Sequence, residues 1–257
     1  MSNRLHDKVA VITGAASGIG LATAQRFCRE GAAVTLVDLQ MEPLEQVTAE
    51  LGKNGGRVLP IAADVAQTDK VCQVVESTVR HFGRVDVLFA NAGVPYSGDI
   101  LSTPDEAWDK VMATNAKGVF ICCREVIRQM LAQQPSGGSL ILNASISGLA
   151  GLPGQACYAP SKGAVVQLTR QLAVEYAARG IRVNCVCPGT IDTPLLRKAM
   201  EMSGDPQAFL NMLTVGHPIG RIGNPDEIAA AVAFLASDEA SFITGAIVPV
   251  DGGYTAK

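Results

Sequence analysis

Short apolar runs rich in β-branched residues alternate along this chain with longer stretches of helical period. Val9–Ile12, Ala33–Val37, Arg57–Ile61, Val85–Phe89, Ser139–Leu142 and Ile181–Val186 read as strands. Most are too continuously apolar to carry a wet face, so they belong inside a parallel sheet covered on both sides. Between them, Val71, Val74, Val75, Val79 and Phe82 recur at steps of three and four, the stripe of an amphipathic helix. Two helix starts are spelled alike: Thr103-Pro104-Asp105-Glu106 and Asn224-Pro225-Asp226-Glu227 each offer a capping side chain, a proline at the first helical position and a glutamate three residues after the cap. This alternation predicts a doubly wound α/β domain, whose ligands bind beyond the carboxyl ends of the strands. Residues 190–216 break the rhythm, with Pro194, Pro206, three methionines and no strand pattern. They are either a substrate lid over the cleft or an ordinary pair of surface helices. No repeat or linker divides the chain, so residues 1–257 read as one domain.

Composition narrows the class. The chain has 257 residues, 48% of them hydrophobic, and a net charge of −3, which suits one globular domain. No apolar stretch approaches the roughly 20 residues that cross a bilayer, and the first residues lack the apolar core of a secretory signal. A cytoplasmic protein with no membrane partner is expected. The mild acidity leaves no basic stripe for nucleic acid. Seven cysteines without a Cys-x-x-Cys pair read as buried, reduced thiols, and the isolated His6, His81 and His217 give no metal-ligand cluster.

Candidate chemistry lies at the strand ends. After the first strand, Gly14, Ser17, Gly18, Ile19 and Gly20 form a glycine-rich turn opening a helix, where backbone N–H groups can approach a pyrophosphate. Asp38 closes the second strand, where a carboxylate can accept hydrogen bonds from an adenosine ribose diol and repel a 2′-phosphate. Neither Ala15, Ala16 and Ser17 nor Leu39 and Gln40 supplies a cation for that phosphate, so NAD is expected over NADP. Asp64 and Val65 after the third strand either touch the adenine edge or form a turn and cap the next helix. Asn91, Ala92 and Gly93 make a small turn after the fourth.

Tyr158 and Lys162 are one helical turn apart and share a face. A tyrosine hydroxyl is a poor base at neutral pH until a nearby ammonium stabilises its phenolate. Ser145, just past the fifth strand, can hold the same substrate oxygen. Asn115 is a polar amide in an apolar helix stretch, which suggests a buried partner.

Together these positions resemble the short-chain dehydrogenase/reductase superfamily from Lys8 to Gly253. The motifs are Thr13-Gly14-x-x-x-Gly18-Ile19-Gly20, Asn91-Ala92-Gly93, Asn115, Ser145, Tyr158-x-x-x-Lys162, Pro188-Gly189-x-x-x-Thr193, the Gly220-Arg221 to Ile228 segment and Val250-Asp251-Gly252-Gly253. Ala90 departs from it, standing where relatives often have a second Asn. The resemblance implies a Rossmann domain with a seven-stranded parallel sheet. It implies Tyr158 as acid/base, Ser145 as oxyanion and substrate anchor, Lys162 on the nicotinamide ribose, Asn115 in a water relay to Lys162, and Ile191 with Thr193 against the carboxamide. A homotetramer assembled through two long helices and the C-terminal strand is also implied. The expected reaction is hydride transfer between NAD and a small to medium cyclic, aliphatic or polyol secondary alcohol or its ketone. An NADPH-dependent 3-ketoacyl carrier-protein reductase and a non-catalytic NAD-binding protein are the alternatives. Candidate substrate contacts are Ser147, Pro153, Gln155, Leu195 and Met200; Arg197, Lys198 and His217 either meet an anionic substrate or form a solvated charged face.

Overall fold

The computed structural model describes residues 3–256. Seven parallel strands form one sheet in the order β3-β2-β1-β4-β5-β6-β7: β1 (Val9–Thr13), β2 (Ala33–Asp38), β3 (Arg57–Ala62), β4 (Val87–Ala90), β5 (Gly138–Asn143), β6 (Ile181–Pro188) and β7 (Ile247–Val250). The helices α1 (Gly18–Arg29), α2 (Met41–Lys53) and α9 (Pro225–Ala236) cover one face. The other is covered by α3 (Thr68–Phe82), α5 (Val119–Ala132) and α6 (Tyr158–Tyr176). Alternate β1 residues serve the two cores, Ala10 and Ile12 packing with Phe27 and Ile228, and Val11 with Val74 and Val126. Both faces are therefore apolar, which is why the central strands read as unbroken hydrophobic runs.

Because β1 pairs with β2 on one side and β4 on the other, the winding reverses between β1 and β4, and a crevice opens beyond their carboxyl ends. Helix α4 (Asp105–Met112) leads into α5 through a π-helical turn, Ala113–Gly118. That interruption was not expected of one long helix, and it turns the Asn115 amide onto the Val94 backbone. A Cβ on Gly118 would lie 2.8 Å from Val65 Cγ2, so glycine lets this turn sit close on the β3 end.

The two helix starts differ. Asn224 makes the expected capping box with Glu227 at α9. Thr103 does not cap α4: its hydroxyl donates to the Asp99 carbonyl at 2.5 Å and Pro104 takes the cap position. The Val85–Phe89 strand starts two residues late, because Val85 N–H donates to the Gln133 side chain and Asp86 turns to accept from Val9 N–H. Residues 190–216 contain a pair of short helices, α7 (Pro194–Met202) and α8 (Pro206–Val215). Thr193 and Asp205 cap them, and α8 buries none of its side chains. Among the described residues no helix is long and apolar enough to cross a membrane.

Candidate active site

The glycine turn is built to let backbone approach backbone. Gly14 and Gly18 sit at φ +66° and +54°, in the left-handed region. A Cβ on Gly20 would lie 1.9 Å from the Gly14 carbonyl oxygen, so any side chain there breaks the turn. Helix α1 begins here with no acidic residue in its first turn and no side-chain cap from Ser17. Its free N–H groups and positive dipole end suit an anion such as a pyrophosphate.

Around this turn lies a cavity of about 680 Å³, lined by Gly14, Ser17, Gly18, Ile19, Asp38, Leu39, Asp64, Val65, Asn91, Ala92, Gly93 and Thr193 among others. Asp38 is fixed at its edge, its two carboxylate oxygens accepting from Ala16 N–H at 3.0 Å and Leu39 N–H at 2.8 Å. Asp64 takes the turn role left open by the sequence, accepting from Ala66 N–H and from the Gln67 amide ahead of α3, while still lining the cavity. Lys110, from α4, lines it too, a cation invisible in the loop sequences. Gly20 packs beneath, away from the lining.

Several braces were missed by sequence reasoning. Thr13 Oγ1 accepts from both Asn91 N–H and Ala92 N–H, locking the β4 end to the β1 end. The Asn91 amide donates to the Thr13 and Gly14 carbonyls and accepts from Asn143. Asn143 Oδ1 is left buried at the cavity wall without a hydrogen-bond partner among the described residues, an acceptor suited to a ligand or water hydroxyl. The position of Thr13 beside the glycine turn and of Asn143 two residues before Ser145 are the signals that could have found them.

The first cavity runs into a second, of about 200 Å³, sharing Ile19, Asn91, Gly93, Thr193 and Leu195 with it. Ser145, Tyr158, Lys162, Pro188, Gly189 and Ile191 also line this one. Ser145 Oγ accepts from Ser147 N–H and shares a 3.1 Å contact with the Ser147 hydroxyl, which fixes its direction. Lys162 is buried, 4% exposed, and its ammonium donates to the Asn143 carbonyl at 2.8 Å while lying 5.7 Å from the centre of the Tyr158 ring. Asn115 stands apart from the cavity lining. Its amide spans the β4–α4 loop, accepting from Val94 N–H and donating to Val94 O and the Ser161 hydroxyl, which in turn donates to Tyr158 O. It thus braces the start of α6.

Of the substrate candidates, Leu195 lines the catalytic cavity and Ser147 touches it through Ser145. Pro153, Gln155 and Met200 are not among its walls. Arg197 is turned away from an anion by a bidentate pair with Asp192 at 2.7 and 2.8 Å, five residues back. His217 is no part of a solvated charged face: it is buried, with both ring nitrogens engaged. All seven cysteines are free, five of them buried, and Cys28 and Cys72 half-buried rather than buried as expected.

Known proteins match this geometry along the whole chain. A family model described as enoyl-(acyl carrier protein) reductase matches residues 14–255. The 2-(S)-hydroxypropyl-CoM dehydrogenase 3 of Xanthobacter autotrophicus is 40% identical over 100% of both chains. The cis-4-hydroxycyclohexanecarboxylate dehydrogenase of Sinomonas cyclohexanicum is 42% identical, also over 100% of both. A 3-oxoacyl-acyl-carrier-protein reductase of Thermotoga maritima is 41% identical over 97% of this chain and 98% of its own. Among solved structures, levodione reductase superposes with a TM-score of 0.94 at 39% identity, covering 98% of this chain and 99% of that one. An NAD+-bound xylitol dehydrogenase does so with a TM-score of 0.92 at 34% identity, covering 97% and 100%.

Proposed function

This chain belongs to the short-chain dehydrogenase/reductase family and is an oxidoreductase acting on CH–OH groups; from that premise we propose that it uses NAD to interconvert an uncharged secondary alcohol and its ketone. The observation that carries the reading is the meeting of Ser145, Tyr158 and Lys162 in one cavity continuous with a larger one cradled by Gly14, Gly18 and the α1 N-terminus. That cradle, the fixed Asp38 carboxylate and the unpartnered Asn143 Oδ1 fit a dinucleotide. Gly14, Ser17, Gly18, Ile19 and the α1 N–H groups would hold its phosphates, Asp38 and Leu39 its adenosine ribose, Asp64 and Val65 the adenine, and Asn91 to Gly93 with Pro188 to Thr193 the nicotinamide half. When bound, the dinucleotide supplies the hydride acceptor or donor.

The chain's own residues handle the proton. Tyr158 takes the alcohol proton during oxidation and returns it during reduction. Ser145 holds the substrate oxygen. The Lys162 ammonium stabilises negative charge as it develops on the phenol and would hold a ribose hydroxyl of the bound dinucleotide. Asn115 holds the α6 start and the Val94 loop in register.

The cyclic and polyol alcohols named for relatives, cyclohexanol in Acinetobacter and meso-2,3-butanediol in Serratia marcescens, support a small to medium alcohol. Arg197 pairs with Asp192, and Val94, Pro95 and Leu195 wall the cavity, which supports a neutral one. The second reading, an NADPH-using 3-ketoacyl carrier-protein reductase, is favoured by Lys110 at the cofactor cavity; the carboxylate of Asp38 counts against it. Exposed Trp108 and Phe120 on α4 and α5, Val174 on α6 and Phe242 before β7 support self-association, which we take to be a homotetramer, tested by light scattering. A panel of secondary alcohols and 3-ketoacyl thioesters, read by nicotinamide absorbance with NAD and with NADP, tests the function. Turnover of neutral alcohols with NAD is expected; thioester turnover with NADPH alone would replace the reading.

A further inference from the structure

The proposed chemistry leaves a buried imidazole behind the site unused. His217, only 4% exposed, follows α8 and lies on the far side of the Pro188–Thr193 loop. Its Nε2 accepts from Thr190 N–H at 3.0 Å, and its Nδ1–H donates to the Leu213 carbonyl at 2.9 Å. An amide N–H only donates and a carbonyl only accepts, so the two partners define a neutral ring protonated at Nδ1. One imidazole therefore ties the last turn of α8 to the loop that walls the catalytic cavity.

Two glycines let the chain close on this tie. A Cβ on Gly189 would lie 2.7 Å from His217 Nε2 and 3.0 Å from Asp251 Cα, and one on Gly216 would lie 2.7 Å from the Tyr254 ring. The Tyr254 ring itself is centred 5.2 Å from the imidazole. Helix α8 has no fully buried side chain, only Phe209, Leu210, Leu213 and Thr214 half-buried, so the bond from its last turn through His217 to Thr190 adds to a shallow packing. Pro188, Gly189, Ile191 and Thr193 meanwhile face the catalytic cavity from the same loop.

We propose that His217 is a positioning residue: in its neutral form it holds the α7–α8 lid and the cofactor-facing loop in one register, and a proton on Nε2 frees both. Protonation replaces the acceptor facing Thr190 N–H with a second donor, so the hydrogen bond becomes a donor–donor clash. His217 lines a third cavity, of about 330 Å³; the charged groups around it are Asp251 beyond β7 and Arg221 and Glu227, which are paired with each other. Burial pushes the Asp251 carboxyl up, but hydrogen bonds from the Thr255 side chain and backbone and from Gly253 N–H hold it below the usual range, leaving it negative beside the ring. Helix α8 brings no charged residue. The effect on cofactor affinity rests on the proposed dinucleotide site; the effect on the lid does not.

Amide exchange of the cofactor-free protein and NAD titration calorimetry test both parts. In His217→Ala, peptides within 188–216 should exchange about tenfold faster and the NAD dissociation constant should rise about tenfold, with β1 and β4 peptides unchanged as a check of the fold. In His217→Gln, the side-chain carbonyl can accept from Thr190 N–H and cannot gain a proton. That variant should stay close to wild type near neutral pH and keep its protection in acid, where the wild type loosens. Unchanged exchange in His217→Ala, or equal acid loosening in wild type and His217→Gln, would overturn the proposal. If His217→Ala does not fold, the acid comparison with His217→Gln decides alone. Lid exchange that follows the pattern without any NAD binding would remove the dinucleotide reading and leave the tie standing.

Discussion

The Lys162 ammonium is pinned to the Asn143 carbonyl oxygen at 2.8 Å, so the end of β5 and the start of α6 are joined through one buried cation. Ser145 follows Asn143 on that strand end, and Tyr158 precedes Lys162 by one helical turn. The cation thus sets the spacing of the two hydroxyls as well as supplying charge. Tyr158→Phe removes only the phenolic oxygen and leaves this link intact. Turnover should fall by about 10²- to 10⁴-fold, while the NAD dissociation constant and melting temperature stay near wild type. Lys162→Ala should lose turnover and NAD affinity together. Steady-state kinetics with calorimetry separates the two patterns, and substantial turnover in Tyr158→Phe would remove the tyrosine from its role.

Asp38 accepts from Ala16 N–H and Leu39 N–H, so its carboxylate cannot swing away from an incoming 2′-phosphate. Asp38→Ala combined with Leu39→Arg replaces that fixed negative charge by a mobile positive one. The ratio of kcat/KM for NADP over NAD should rise at least tenfold, consistent with like-charge opposition worth a few kcal/mol. An unchanged ratio would mean that this carboxylate does not face the ribose.

Burial raises most of the thiols, Cys185 with its hydrogen bond to Cys187 excepted. It pushes Cys122 up to about 12 and half-buried Cys28 up to about 11, and Cys123 well above the ordinary range. The thiolate is the reactive form, so the native protein should react slowly with a neutral aromatic disulfide at pH 8 and release the full seven equivalents only in denaturant. Rapid labelling of Cys122 or Cys123 would contradict this packing.

The parts of the fold that could be read in advance are those written in local pattern. Strands β1, β2, β4, β5 and β6 announce themselves because both sheet faces are apolar, half-buried β3 at the edge by its greater length and its apolar run over 58–61, and the glycine turn because Gly14 and Gly18 need left-handed backbone. Strand β7 has no such signature: it is four residues long, half-buried at the sheet edge, and contains Pro249. Only the family resemblance supplied it. The π-helical turn at Asn115 is silent because helical period continues on both sides of it. Arg197 is exposed and paired with Asp192, but the burial of His217 fits neither reading open to it, an anion contact or a charged face, because its partners Thr190 and Leu213 are set by how the segment after β6 folds back. Thr103 shows the reverse, a capping motif whose hydroxyl found a nearer carbonyl.

Glu227 illustrates how a motif legible in sequence becomes a pH dependence. Its carboxylate is held down to about 2, first by the Arg221 guanidinium at 2.6 and 2.9 Å and then by Asn224 N–H at 2.8 Å. The folded state therefore favours the ionised form more than the unfolded chain does. Its contribution is complete above the ordinary glutamate range near 4.5 and drains away as pH falls toward 2. The pair is solvent-exposed, so screening keeps the gain well below about 1 kcal/mol at neutral pH. Glu227→Gln keeps a side-chain oxygen for the capping box but has no proton to gain. Its melting temperature should sit no more than a few degrees below wild type at neutral pH, and the gap should close as pH falls from about 5 toward 2. Calorimetric melts across that interval check the sign: a gap that widens in acid would mean that Glu227 is not the group held ionised by folding.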